Sequence, residues 1–263
     1  MISSPAANYG LDAPGVVRNL LLAGAAGLLL WGTAATGLWS GFLTIHLRSD
    51  LEMRIGLAGF GLGAGLGCTA MGLWMIWTSR VGKVIARERL LDHVTWTGRE
   101  QVLDVGCGRG LLLIGAARRL TSGRATGIDI WQAEDLSGNG PDATLDNARR
   151  EQVADRVAVE TADMRRLPFA EGSFDLVVSC AAIHNVPSAA HRAVAIAEIA
   201  RVLKPGGTAL IDDIRHLGDY ASAFAAHGCR DIQRLGSPLV SAFWALVTFG
   251  SLRPGVLLVR KPA

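Results

Sequence analysis

Residues Val102 to Leu113 read VLDVGCGRGLLL, and this stretch decides the fold. An apolar strand pattern ends at Val105, three glycines at 106, 108 and 110 turn the chain, and Leu111 opens a helical run. A glycine loop between a buried strand and a helix begins a βαβ unit, whose ligands bind beyond the carboxyl ends of the strands. The loop by itself is not specific. A dinucleotide fingerprint, G-x-G-x-x-G/A, needs a small third residue at position 111, where Leu111 stands. The spacing G-x-G-x-G behind Asp104 suits a smaller anion, such as a carboxylate, at the start of the helix.

Outward from this loop, short apolar runs alternate with helical patterns from Arg99 to the C-terminus. Strands are expected at 101–105, 125–129, 156–160, 174–179 and 208–211, with a final pair at 231–235 and 256–260. Helices are expected at 111–119, 143–151, 189–203 and 220–226. The result is a doubly wound α/β sheet with one antiparallel excursion at its end. Asp129 closes the second strand about twenty residues after the loop, the distance at which a carboxylate accepts both hydroxyls of a ribose. Asp163, in TADMRRLPF, follows the third strand and can accept from an adenine amino group, with Met164 at the ring edge. The fourth strand enters FDLVVSCAAIHNV, and the next helix ends in LKPGG. Taken singly, these pieces read equally as an N-cap, a surface acid and a Pro-Gly helix stop.

As an ordered set, VLDVGCGRG, GIDI, ADMRRLPF, FDLVVSCAAIHNV and LKPGG resemble the class I S-adenosylmethionine-dependent methyltransferases over about residues 95–263. The resemblance implies a Rossmann-like seven-stranded sheet of order 3-2-1-4-5-7-6 with strand 7 antiparallel. It implies S-adenosylmethionine as cofactor, with Asp104, Gly106, Gly108 and Gly110 at the methionine end, Asp129 on the ribose, and Asp163 and Met164 at the adenine. Cys180 is counted with the cofactor-binding residues. It stands where arsenic methyltransferases carry a cysteine, but those enzymes use several together. One departure from the family is the long connection WQAEDLSGNGPD, Trp131–Asp142, which reads either as a substrate lid or as a solvated turn cluster.

A sulfonium methyl donor is already activated, so a base is needed only when the acceptor atom keeps its proton at neutral pH. His184, just past the fourth strand, is the candidate base; a structural histidine is the alternative. In IDDIRH, residues 211–216, the acids and His216 read as substrate-orienting groups or as a salt-bridged rim.

The N-terminal third has a different texture. Asn19 to Ile45 carries no formal charge, and neither does Ile55 to Trp77; each exceeds the ~20 residues that cross a ~30 Å hydrocarbon core. Arg48, Asp50, Glu52 and Arg54 between them belong in a loop, because each Arg or Asp costs about 2.5–3.5 kcal/mol at mid-bilayer. Gly59, Gly63 and Gly67 repeat every four residues, as do Gly61 with Gly65 and Gly37 with Gly41, a spacing that lets helices approach closely and offers a route to homo-oligomers. Trp31, Trp39, Trp74 and Trp77 add aromatic weight, the last two at the end of the second run. Arg80, Lys83, Arg87 and Arg89 against a single Glu88 then set a cytoplasmic side, with both termini and the catalytic domain on it. The stretch 79–94 reads either as a juxtamembrane helix or as a connector packed on the domain.

Composition agrees with a partly lipid-facing chain: 50% apolar and 19% charged residues is unusual for one soluble domain. With a net charge of +3 and no basic-aromatic patch, nucleic acid is not expected as a partner. Cys68, Cys107, Cys180 and Cys229 lack zinc or disulfide spacing, so no metal is expected. The expected organisation is a tail at 1–18, a two-span membrane hairpin at 19–78, a juxtamembrane connector helix at 79–98 and an S-adenosylmethionine-dependent methyltransferase domain at 99–263. The expected activity is methylation of a hydrophobic small molecule, such as a quinone, isoprenoid, lipid or phenol, at the cell membrane. Two alternatives stay open: methylation of a soluble metabolite or arsenical, and a cofactor-binding membrane scaffold without turnover. The run 237–252 reads as a wall of the acceptor pocket or as a hairpin packed on the core, with the core favoured.

Overall fold

The computed structural model describes residues 7–48, 51–132 and 136–263. The chain divides into two compact units, Gly10–Lys83 with Ala133–Ser137, and Met1–Tyr9 with Val84–Gln132 and Gly138–Ala263.

In the first unit, α1 (Pro14–Ala35) and α2 (Leu57–Trp77) are both long and apolar enough to cross a membrane. Pro14 at the first turn of α1 has no N–H to leave unpaired there, which suits a helix start. Their contact is built on glycine. A Cβ on Gly27 would lie 2.6 Å from the Gly61 carbonyl oxygen, and one on Gly65 would lie 2.8 Å from the Leu28 nitrogen. Gly61 and Gly65 thus form the ridge that meets α1, whereas Gly59, Gly63 and Gly67 have nothing within 4 Å.

Between the helices the expected loop is corrected. Phe42–Arg48 (β1) pairs antiparallel with Leu51–Gly56 (β2), and α1 ends at Ala35, well before the expected Ile45. The reason is a period of two: Leu43, Ile45, Leu47, Leu51, Met53 and Ile55 alternate with Thr44, His46, Glu52 and Arg54. Polar side chains meet across the ladder, with His46 Nδ1 3.0 Å from Glu52 Oε1. Asp50, placed in the expected loop, lies outside the described residues. Past α2 the helix widens into a π-helical turn at Thr78–Gly82, where Ser79 and Lys83 both donate to the Asp12 carboxylate.

The second unit begins its helices with α3 (Lys83–Leu91), followed by β3 (Gln101–Val105), α4 (Leu111–Ala117), β4 (Arg124–Asp129), α5 (Pro141–Arg150), β5 (Val157–Thr161) and β6 (Phe174–Cys180). Then come α6 (Ala189–Val202), β7 (Leu203–Asp213), α7 (Leu217–Ala226), β8 (Arg230–Leu235), α8 (Pro238–Val247) and β9 (Gly255–Arg260). The strands form one sheet in the order β5-β4-β3-β6-β7-β9-β8, with β9 antiparallel to both of its neighbours.

Both faces of the sheet are covered, which is why its central strands are mostly apolar and do not alternate with polar residues. Leu103, Val105, Val177 and Ile211 join Ile196, Ile199, Tyr220 and Phe224 from α6 and α7 on one face. Val102, Leu176, Val178 and Leu210 join Leu91, Leu112, Leu113 and Ala148 from α3, α4 and α5 on the other.

One boundary differs from the sequence expectation, and one open reading is narrowed. LKPGG is not a helix stop: β7 starts at Leu203 and absorbs the Pro-Gly pair through a register shift opposite Phe174 and Leu176. The connector α3 buries Arg87, Leu90 and Leu91, and a Cβ on Gly115 of α4 would lie 2.6 Å from the Arg87 Cδ. Of the two readings for 79–94, the helix packed on the domain holds over this part. Arg87 is also spoken for: it donates to Glu88, to the Tyr9 hydroxyl and to Glu151.

Candidate functional site

The residues singled out by sequence lie at the carboxyl ends of β3 to β7. After β3, the N–H groups of Gly106 and Cys107 both reach the Ile128 carbonyl at 2.9 Å, which folds the loop over the end of β4. Gly106, Gly108 and Gly110 all have positive φ, a conformation that costs a residue with a Cβ about 1–2 kcal/mol. A Cβ on Gly106 would also sit 2.3 Å from the Ala182 Cβ and 3.7 Å from the Met164 Cε. The loop, Met164 and the exit of β6 therefore converge on one spot.

Asp129 is tied directly into that loop. Its Oδ2 accepts from the Gly108 N–H at 2.8 Å and its Oδ1 from the Trp131 N–H at 2.6 Å. Each oxygen keeps a further lone pair, so the carboxylate can still accept from two hydroxyls of one sugar. The residues present thus fit the nucleoside part of S-adenosylmethionine.

Asp104 occupies a different place from its neighbours. It is 2% exposed, and its Oδ2 accepts from the Leu113 N–H at 2.8 Å. Burial pushes its carboxyl up to about 7, with Asp129 adding to the effect against the Leu113 hydrogen bond. This side chain fastens α4 to β3 beneath the loop.

Asp163 is forked onto Arg165, with Nε to Oδ1 at 3.0 Å and to Oδ2 at 2.9 Å, and that pairing holds its carboxyl below the ordinary range. Met164 packs against the hydrophobic core. Cys180 packs against the cluster that contains Cys107, Leu112 and Leu113, with its Sγ 3.6 Å from Asp212 Oδ2. Burial and the surrounding carboxylates push its thiol well up, so it stays protonated at neutral pH. Burial also raises Asp212, to about 6.

His184 stands in a single 3-10 turn, Ile183–Asn185, and is gripped by Asp213. The imidazole Nδ1 is 2.6 Å from Asp213 Oδ1, and the His184 backbone N–H donates to Oδ2 at 3.1 Å. The same carboxylate accepts from the Ile214 N–H at 2.7 Å and from the Tyr220 hydroxyl at 3.3 Å. Asp213 is 1% exposed, so the cluster is fixed from the protein side, and the imidazole Nε2 makes no hydrogen bond among the described residues. Sequence reading placed Asp213 near the site but did not pair it with His184, and it missed Tyr220, whose position in a helix gave no sign of it.

Three residues other than glycine that follow β4, β6 and β7 are held at positive φ: Trp131, Ala181 and His216. Such strain concentrates where a fold must aim side chains. Trp131 also fixes the start of the long connection, its Nε1 donating to Thr161 Oγ1 at 2.8 Å. Within Trp131–Asp142, residues 133–135 lie outside the described residues, and Arg109 of the glycine loop donates to the Gly138 carbonyl at 2.9 Å.

Residues 103–211 match a family model described as a methyltransferase domain. The chain is 34% identical over 145 residues to methyltransferase GfsG of Streptomyces halstedii, which covers 54% of this chain and 49% of that protein. It is 32% identical over 123 residues to a demethylmenaquinone methyltransferase of Lactiplantibacillus plantarum, covering 46% of this chain and 47% of that one. The chain spans about half the length of these relatives. Among solved structures, geranyl diphosphate C-methyltransferase from Streptomyces coelicolor, in complex with S-adenosyl-L-homocysteine, superposes with a TM-score of 0.52 at 20% identity, over 68% of this chain and 79% of that one.

Proposed function

We propose that this chain, which carries an S-adenosylmethionine-dependent methyltransferase domain over residues 103–211, methylates a hydrophobic small molecule at the cell membrane. The observation that carries the reading is the union of Asp129 with the glycine loop through the Gly108 N–H. It leaves a preset carboxylate beside a loop whose close approach to Ala182 at Gly106 leaves no room for a Cβ.

When bound, S-adenosylmethionine supplies an activated methyl group on a sulfonium. Asp129 would hold the ribose hydroxyls, Gly106, Gly108 and Gly110 would let the backbone approach the methionine part, and Met164 with Asp163 would border the adenine. His184 would receive the acceptor's proton at Nε2. Asp213 would keep Nδ1 protonated, so that Nε2 presents its lone pair. Demethylmenaquinone, the substrate named for one relative, is a quinone and supports a lipophilic acceptor.

The membrane part rests on α1 and α2. Large apolar side chains stand exposed along both, including Leu22, Leu29, Phe60 and Leu66, and a bilayer is the environment that covers them. If both cross the bilayer, the excess of Arg80, Lys83, Arg87 and Arg89 over Glu88 after the second span supports a cytoplasmic side for both termini and the methyltransferase domain. The Gly59-Gly63-Gly67 ridge is the contact through which copies would associate.

The test is calorimetry of the detergent-purified full chain with S-adenosylhomocysteine, beside Asp129→Ala, followed by methyl-donor labelling of lipid and aqueous extracts. Binding that is lost in the variant, with label in the lipid extract, is expected. No binding in either protein overturns the methyltransferase reading; label confined to the aqueous extract overturns the hydrophobic acceptor.

A further inference from the structure

We infer that α8 is an interfacial helix that seats the acceptor side of the methyltransferase domain on a lipid surface bearing anionic headgroups. From Leu235 to Leu252 the chain carries no charge, and no residue of α8 is buried. Leu239 is 82% exposed, Leu246 77% and Phe249 99%, with Val240, Phe243 and Val247 exposed beside them. This corrects the expectation that 237–252 packs on the core.

The neighbouring helix supplies the contrast. α7 is also 10 residues long and buries Leu217, Tyr220 and Phe224. α8 is nevertheless firmly begun, with Pro238 in its first turn and Ser237 Oγ accepting from the Val240 N–H at 3.4 Å. Its 10 residues give about 15 Å of helix, half of what a span needs, so it would lie in the interface.

Charge selects the lipid. Arg234 and Arg253 bracket the uncharged run, and Arg215 joins them at its base, where the Arg253 N–H donates to the Ile214 carbonyl at 2.8 Å. All three arginines are exposed, and none forms a salt bridge among the described residues. Cations at the root of an apolar helix match anionic headgroups above an acyl interior.

Register decides what this achieves. Gly255 pairs with Asp213, and Leu235 pairs with Val256. The excursion therefore leaves and rejoins the sheet at the edge where Asp213 holds His184. A lipophilic acceptor would then reach His184 from lipid without crossing water, a consequence that rests on the function proposed above.

The experiment places p-benzoyl-phenylalanine at position 246 of the full chain, in vesicles of about 3:1 phosphatidylethanolamine to phosphatidylglycerol, and weighs the photoadducts. The control position is Glu171, exposed ahead of β6 at the opposite sheet edge. Lipid adduct at 246 about tenfold above 171, falling several-fold in Arg234→Glu/Arg253→Glu, is expected. Equal yields at the two positions, no fall in the double variant, or an adduct of twice the chain mass would overturn it. Calorimetry with S-adenosylhomocysteine on the same preparation keeps the two readings apart, because lost cofactor binding tells against the methyltransferase and leaves the lipid adduct to be judged alone.

Discussion

His184 and Asp213 are joined twice, side chain to side chain at 2.6 Å and backbone N–H to carboxylate at 3.1 Å. The double grip orients the ring as well as anchoring it. With Nδ1–H donated to a buried carboxylate, the ring's other nitrogen is an acceptor in a fixed direction.

If that nitrogen takes the acceptor's proton, His184→Ala should lower kcat by about 10²–10⁴-fold, the usual worth of a general base. Asp213→Asn should lower it by about tenfold to a hundredfold, because the ring loses the carboxylate that orients it. Affinity for S-adenosylhomocysteine should stay unchanged in both. Steady-state kinetics over a pH series, with calorimetry, checks this; an unchanged kcat in His184→Ala removes the histidine from the chemistry.

Asp104 gives a pH prediction. Its folded-state value of about 7 stands above the ~3.9 of an unfolded chain. The folded protein therefore holds an extra proton between about pH 4 and pH 7. The stabilisation from that proton is complete below pH 4 and is lost as pH rises through 7, at most about 4 kcal/mol. Asp104→Asn cannot titrate and can still accept from the Leu113 N–H through its amide oxygen. Thermal melts should show the variant gaining on the wild type between pH 5 and pH 8; a constant difference would mean that Asp104 is ionised throughout.

At Gly106 the constraint is steric twice over. The φ of +75° disfavours any Cβ, and that Cβ would fall 2.3 Å from the one on Ala182. Gly106→Ala should cost about 1–3 kcal/mol of stability and abolish cofactor binding. Adding Ala182→Gly relieves the contact but not the backbone strain, so Tm should recover in part. Full recovery would make the contact the whole cause.

Much of this was legible in sequence because the parallel strands are buried on both faces. Gln101–Val105 and Phe174–Ser179 stand out as short, mostly apolar runs, each carrying one aspartate and ended by glycine or a polar turn. The 42–56 hairpin was hidden by the opposite circumstance: its apolar residues alternate, and beside two long apolar helices the alternation reads as their continuation. α8 misled for a related reason. An apolar run looks the same whether protein or lipid covers it, and only the exposure of Leu239 and Leu246 separates the cases. The Asp213–His184 pair was invisible because its 29-residue separation is closed by the pairing of β6 with β7.

Asp163 is shared property. To accept from an adenine amino group it must loosen its fork to Arg165, an exposed pair that water already weakens. Arg165→Ala should therefore tighten S-adenosylhomocysteine binding by about two- to fivefold, whereas Asp163→Ala should weaken it by about tenfold. Isothermal titration at low and high salt separates the two effects. Weaker binding in Arg165→Ala would show that the arginine instead holds Asp163 in its binding pose.

The glycines of α1 and α2 divide into those that touch and those that do not, and substitution should divide the same way. A Cβ at Gly27 or Gly65 meets backbone atoms under 3.0 Å away, which cannot swing aside as a side-chain tip can. Gly65→Val should thus force the helices apart and lower the detergent Tm by several degrees, while Gly63→Val, with nothing within 4 Å, should leave it within about 1 °C. The open ridge carries its own expectation. If copies associate along Gly59, Gly63 and Gly67, Gly63→Leu should reduce the oligomer fraction in light scattering without changing the melt, since a bulky residue blocks close approach of a second helix but disturbs nothing within the first pair. An oligomer fraction unchanged by Gly63→Leu and lost in Gly65→Val would assign association to the same ridge that holds the hairpin together, and α1 would then be competing with another copy for it.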